Sequence, residues 1–104
     1  MDEQFISSRL SELRQGRNVS AREMSLALGQ NPSYINRIEN CVAYPSMEMF
    51  FSICEYLDIT PAEFFDGHNH VPNQRRELYL ALDRLNAKQT SLLLSLVHAL
   101  LGDK

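Results

Sequence analysis

The stretch SAREMSLALGQNPSYINRIEN, residues 20–40, decides the fold. It opens on Ser20, three residues ahead of Glu23, the spacing of a capping box in which each side chain satisfies the other residue's backbone N–H. Met24, Ala27 and Leu28 follow at helical spacing as an apolar stripe. Gly29 supplies the left-handed residue at which a helix stops. Asn31-Pro32 starts the next helix, with Asn as cap and Pro in a first turn whose N–H has no partner to lose. Ile35 and Ile38 mark the inward face of this second short helix, which ends near Asn40. Two helices joined by a Gly-containing turn make a helix-turn-helix, the first helix holding the second across it. Any tight helical hairpin has similar needs, so the flanking sequence has to discriminate.

Upstream, Phe5, Ile6, Leu10 and Leu13 recur at helical spacing over residues 4–15, with Gly16 ending the run. Downstream, Pro45-Ser46 opens a fourth helix whose apolar face carries Met49, Phe50, Ile53, Cys54 and Leu57. Thr60-Pro61-Ala62-Glu63 repeats the cap, proline and glutamate arrangement, and Phe64 and Phe65 close a short fifth helix. Residues 66–72, DGHNHVP, have the composition of a linker. Beyond it, Leu78, Leu82 and Leu85 stripe one helix. Asn86 and Gln89 start another that carries Leu92, Leu93, Leu96, Val97, Leu100 and Leu101, so the two form a helical hairpin. The expected fold is all-α: a five-helix domain over residues 1–66, a linker over 67–72 and a C-terminal helical hairpin over 73–104.

Composition bounds what such a chain does. With 104 residues, 44% apolar and 22% charged, it has an ordinary globular balance. The formal net charge of −3 argues against binding a polyanion. Residues 1–66 carry five Arg against ten acids, yet residues 1–40 are balanced, five against five. The surplus lies at Glu48, Glu55, Asp58, Glu63 and Asp66, and a docking face that avoids them can still be positive. Cys41 and Cys54 are too few for a disulfide framework, and there is no signal-type or membrane-spanning apolar run. The chain reads as cytoplasmic, with reduced thiols and no membrane association. His68 and His70 lack a third metal ligand, and the cysteines are not spaced as zinc ligands. No phosphate loop, activated nucleophile or pair of carboxylates in a cleft is legible, so neither an enzyme nor a cofactor is expected. The Phe50, Phe51, Phe64, Phe65 and Tyr56 cluster reads as core or interface, because no basic side chains intersperse its rings.

Five stretches together carry a family resemblance: ISSRLSELR (6–14), VSAREMSLALG (19–29), YINRIEN (34–40), Pro45-Ser46 and LDITPAEFF (57–65). Residues 6–65 resemble the phage Cro and repressor type of helix-turn-helix domain, the XRE family. The resemblance implies a five-helix, lambda-repressor-like domain, a transcriptional regulator acting as a repressor and a homodimer on double-stranded operator DNA. It marks residues 31–40 as the recognition helix, with Pro32, Ser33, Tyr34, Asn36 and Arg37 facing the major groove. Ser33 and Asn36 can hydrogen-bond bases, Tyr34 can touch a thymine methyl or a phosphate, and Arg37 can reach a guanine or the backbone. Asn40 matches a phosphate-contacting position. Arg14 and Glu39 match an ion pair that bridges the first and third helices. Arg9, Arg17 and Arg22 are candidates for phosphate contacts, weighed against ordinary surface charge.

Three departures from the family pattern carry expectations of their own. Ala21 replaces a Gln that opens helix 2, removing one DNA contact. Cys41 replaces a Gly, so the turn after the recognition helix is expected to change its backbone angle, because other residues resist positive φ. Val42-Ala43-Tyr44 replaces a stretch that often holds Lys or Arg. Weak phosphate anchoring and a shallow salt dependence follow. The last helix is apolar over more of its circumference than one neighbour covers, which favours dimerisation through the hairpin over packing on its own domain. The alternative function is a protein-interaction module or antitoxin on the same fold, whose acidic surface binds a protein partner.

Overall fold

The computed structural model describes residues 3–103 and is all-helical. Its elements are α1 (Glu3–Gly16), α2 (Ala21–Ala27), α3 (Tyr34–Glu39), α4 (Met47–Leu57), α5 (Pro61–Phe65), α6 (Pro72–Leu82) and α7 (Ala87–Leu101). They form two compact units, one running to Asn73 and the other starting at Gln74.

In the first unit, Leu10 and Leu13 of α1, Met24 of α2, Ile35 and Ile38 of α3, Phe50, Ile53, Cys54 and Leu57 of α4, Ile59, and Phe64 of α5 make one core. Phe50 and Phe64 meet edge to face at 5.1 Å, the arrangement favoured by their ring quadrupoles. Phe51 and Phe65 join them through ring contacts at 5.3–6.0 Å but stay partly exposed at the edge of the core. Burial pushes the Cys54 thiol up to about 11, which leaves it a protonated, unreactive core residue.

Short helices need closed ends, and here the ends share one device. All five described residues with positive φ stand just past a helix: Asn18, Gly29, Cys41, Asp58 and Gly102. After α3, Cys41 N–H donates to Ile38 O and Val42 N–H to Arg37 O. This is the paired reverse bonding of a Schellman end, which satisfies two orphan carbonyls. The same pair closes α2, from Gly29 to Leu26 O and from Gln30 to Ser25 O. Cys41 adopts φ +60°, so the turn keeps the left-handed conformation and the expected change in backbone angle does not occur. The helix-end bonds outweigh the roughly 1–2 kcal/mol cost of a side chain in that region.

Other details also differ from the sequence reading. Ser20 accepts from Glu23 N–H, but the reciprocal half of that capping box is not formed, whereas Thr60 with Glu63 and Asn86 with Gln89 form complete boxes. Ala27 is exposed, and Ser25 takes its expected place in the interior. The segment after α5 is fastened to α1. Arg9, 3% exposed, donates to Phe64 O, Glu63 O and Asn69 O and pairs with Glu12 at 2.6 Å. His70 Nδ1 lies 2.6 Å from the other Glu12 oxygen. Burial pulls the Glu12 carboxyl up, but hydrogen bonds from His70 and Arg9 more than offset it, holding the group below its ordinary value. Asn73 donates to Leu57 O and Asp58 O, tying the start of α6 to the end of α4.

The second unit holds most of α6, the turn and α7. Asn86 caps α7 at one end and Gly102, at φ +77°, closes it at the other. No residue of α7 is buried.

Candidate nucleic-acid interface

A helix as short as α3 is not stable by itself, because nucleation costs more than one or two turns return. Neighbouring elements therefore have to hold it. Ser25 Oγ accepts from Ile35 N–H at 3.0 Å and donates to Ala21 O at 2.7 Å, linking the start of α3 to α2. At the other end, Ser7 Oγ donates to Ile38 O at 2.8 Å. Its neighbour, Cys41 Sγ, lies 3.1 Å from the same hydroxyl. Arg14 places Nε 2.7 Å from one Glu39 oxygen and Nη2 2.9 Å from the other, and donates through Nη1 to Val19 O. The two side chains are 14% and 10% exposed, so the pair is largely shielded from water and salt. Hydrogen bonding to Glu39 raises the Arg14 guanidinium above its ordinary value, against the opposing effect of burial.

Held in this way, Ile35 and Ile38 face the core, and Asn36 and Arg37 of α3 face outward. Ala21, Arg22, Pro32, Ser33 and Asn36 line a shallow, open concavity of about 380 Å³ between the N-terminal ends of α2 and α3. The turn ahead of α3 is fixed by Asn31, whose side-chain oxygen accepts from Ser33 N–H and Oγ–H. The helix itself starts at Tyr34, three residues later than the expected start at residue 31. Ser33 Oγ spends its proton on Asn31 and keeps acceptor capacity for an amino group outside. Asn40 Nδ2 donates to Asn36 O and Oδ1, which orients the Asn36 carboxamide with its amino group free to donate and one oxygen lone pair unused. That is the donor and acceptor pair that matches an adenine edge.

The cations divide by partner. Arg9 and Arg14 are committed inside the fold, as described. Arg17 donates through Nη1 to Leu57 O at the end of α4 and is not among the residues lining the concavity. Arg22 and Arg37 are exposed and make no ion pair among the described residues. Tyr34 is half-buried and packs against the core, with burial pushing its phenol upward. Of the expected contact residues, Arg22, Pro32, Ser33 and Asn36 thus line one concavity, Arg37 and Asn40 are exposed on and just after α3, Tyr34 is partly withdrawn and Arg17 is engaged elsewhere.

Sequence reasoning passed over Ser7 and Ser25. Their only signal is a hydroxyl at a position the helical period assigns to the interior, where it must find a partner. Among the described residues no group of three or more His, Cys, Asp or Glu is placed to hold a metal ion. No described helix is long and apolar enough to cross a membrane.

A helix-turn-helix family model matches residues 10–64, more than half of the chain. The matched region takes in α2, α3, α4 and the Arg14–Glu39 pair. No curated protein and no solved structure gives a significant match.

Proposed function

The chain belongs to the XRE-type helix-turn-helix family of DNA-binding regulators, and we propose that it is a sequence-specific transcriptional repressor that sets α3 into the major groove of operator DNA as a homodimer. The observation that carries this reading is the clamp on α3. Ser25, Ser7 and the Arg14–Glu39 pair fix a helix of little stability in its own right so that Ser33, Asn36 and Arg37 project together. A surface that has to match base edges needs such preorganisation. A two-fold dimer brings two recognition helices to successive major grooves about 34 Å apart. Arg22, with Asn40, supports the phosphate contacts that set the register.

A second reading has one observation in its favour. With Arg9 and Arg14 paired inside the fold, residues 1–66 keep a surplus of five acids, which suits a basic protein partner better than a polyanion.

Selection of random duplex DNA by the purified protein separates the two. The regulator reading expects enrichment of a partly palindromic site, lost when Asn36→Ala and Arg37→Ala are combined. A well-folded protein that enriches no site at low salt supports the protein-partner reading.

A further inference from the structure

We propose that Asn40 is a positioning residue for base recognition: it holds the Asn36 carboxamide in the orientation that pairs with adenine, so that the operator half-site carries an A·T pair beneath Asn36. This role rests on the reading of α3 as the recognition helix. It is additional to the phosphate contact proposed for Asn40, and it acts through Asn36 rather than on the base.

An exposed asparagine needs such help. Rotation about its last side-chain bond is soft and roughly two-fold, and it exchanges a donor for an acceptor. A bidentate contact to a base edge uses only one of the two orientations, so an unguided carboxamide pays for ordering when it binds. On a helix the guiding group has to come from three or four residues away. Around Asn36 those positions are Pro32, Ser33, Glu39 and Asn40. Pro32 has no hydrogen to donate. Ser33 gives its hydroxyl proton to Asn31, and Glu39 is taken up by Arg14 through both oxygens. Asn40 is the remaining donor of the four.

Asn40 is well placed for the task. It is the C-cap of α3, and its backbone N–H donates to Asn36 O at 3.0 Å. Its Nδ2 lies 2.9 Å from that same carbonyl and 3.1 Å from Asn36 Oδ1. The main-chain bonds of the helix end therefore fix the donor, and the donor fixes the carboxamide. Turning the Asn36 group over would set its amino group against the Asn40 amino group, two donors with no acceptor between them.

The orientation selects the base. Asn36 keeps both Nδ2 hydrogens and one Oδ1 lone pair for DNA. Adenine offers an N7 acceptor beside an N6 donor, which answers both. Guanine offers two acceptors, so its O6 would face Asn36 Oδ1. Thymine and cytosine each answer only one of the two groups.

The test is selection of duplex DNA by the full-length protein, followed by competition binding in which the selected site is varied one base pair at a time. Asn36→Ala locates the pair that Asn36 reads, as the position where preference is lost. That pair is expected to be A·T, with adenine preferred roughly tenfold or more. Asn40→Ala should cut the preference at this pair about fivefold and leave the preferences at the other positions unchanged. In the Asn36→Ala background the same change should have no further effect on this preference, as expected for a residue that acts through another. Asn40→Gln, which keeps the donor, should retain most of the adenine preference. A base other than adenine beneath Asn36 overturns the proposal. So does an Asn40→Ala variant that binds every sequence more weakly by the same factor with its adenine preference intact, the behaviour of a phosphate contact alone. Both of these results leave the operator reading standing, whereas a folded protein that enriches no site overturns that reading and the role of Asn40 together.

Discussion

Ser25 shows how much of a recognition surface rests on one buried hydroxyl. It is fully enclosed, and it both accepts from Ile35 N–H and donates to Ala21 O. Ser25→Ala removes a small volume but strands the Ile35 amide away from water. Leaving a buried donor unmade costs about 1–3 kcal/mol. Urea unfolding should register that loss as a lower midpoint with an unchanged slope, and an unchanged midpoint would mean that the amide finds another partner. Cys41 illustrates the limit of reading a residue in isolation. Its type argued against positive φ, yet the Schellman bonds from Cys41 and Val42 N–H to Ile38 and Arg37 carbonyls hold it at +60°. The need of the helix end decides the angle, and the side chain accommodates.

Among the elements, α3 is the one whose existence depends most on its neighbours. Arg14→Ala deletes the bidentate partner of Glu39 and leaves a carboxylate that is 10% exposed without its cation. Breaking a largely buried pair in this way costs about 3 kcal/mol. Thermal unfolding should show a clear drop, which the double change Arg14→Met with Glu39→Leu largely recovers. Equal losses in the single and double variants would contradict the account. The helices themselves were legible from the sequence because caps, stops and apolar spacing agree at each one: Ser46, Thr60 and Asn86 start helices where expected, and Gly29 ends one. The pairing of Arg14 with Glu39 was implied by family resemblance alone. What stayed hidden depends on tertiary contacts. The start of α3 at Tyr34 follows from the Asx turn of Asn31 on Ser33, and the burial of Ser25 in place of Ala27 follows from where α3 crosses α2. The tie of Arg17 to Leu57 O joins residues 40 positions apart, beyond the reach of local pattern.

For the whole molecule, the distribution of charge governs how the protein meets DNA. Arg9 and Arg14 hold the fold together, Arg17 is bonded to a carbonyl, and Arg22 and Arg37 remain exposed in each copy. In the proposed homodimer, four such cations release few counterions. The slope of log K against log salt should be about −4 or shallower, measured by fluorescence anisotropy on a selected site. A slope near −8 would require cations that this surface does not present. On the proposed function, specificity then rests on base contacts and on the firmness with which α3 is held, more than on general attraction to phosphate. The central claim is that Asn36 and Arg37, carried on the clamped α3, read the DNA. The most direct test is binding of the unmodified protein and the Asn36→Ala, Arg37→Ala double variant to the selected duplex and to a scrambled one, with equal helicity verified for both proteins. The account predicts that the double change abolishes the preference for the selected site while weak, salt-sensitive binding to either duplex persists. Retention of the full preference by a folded double variant would contradict it.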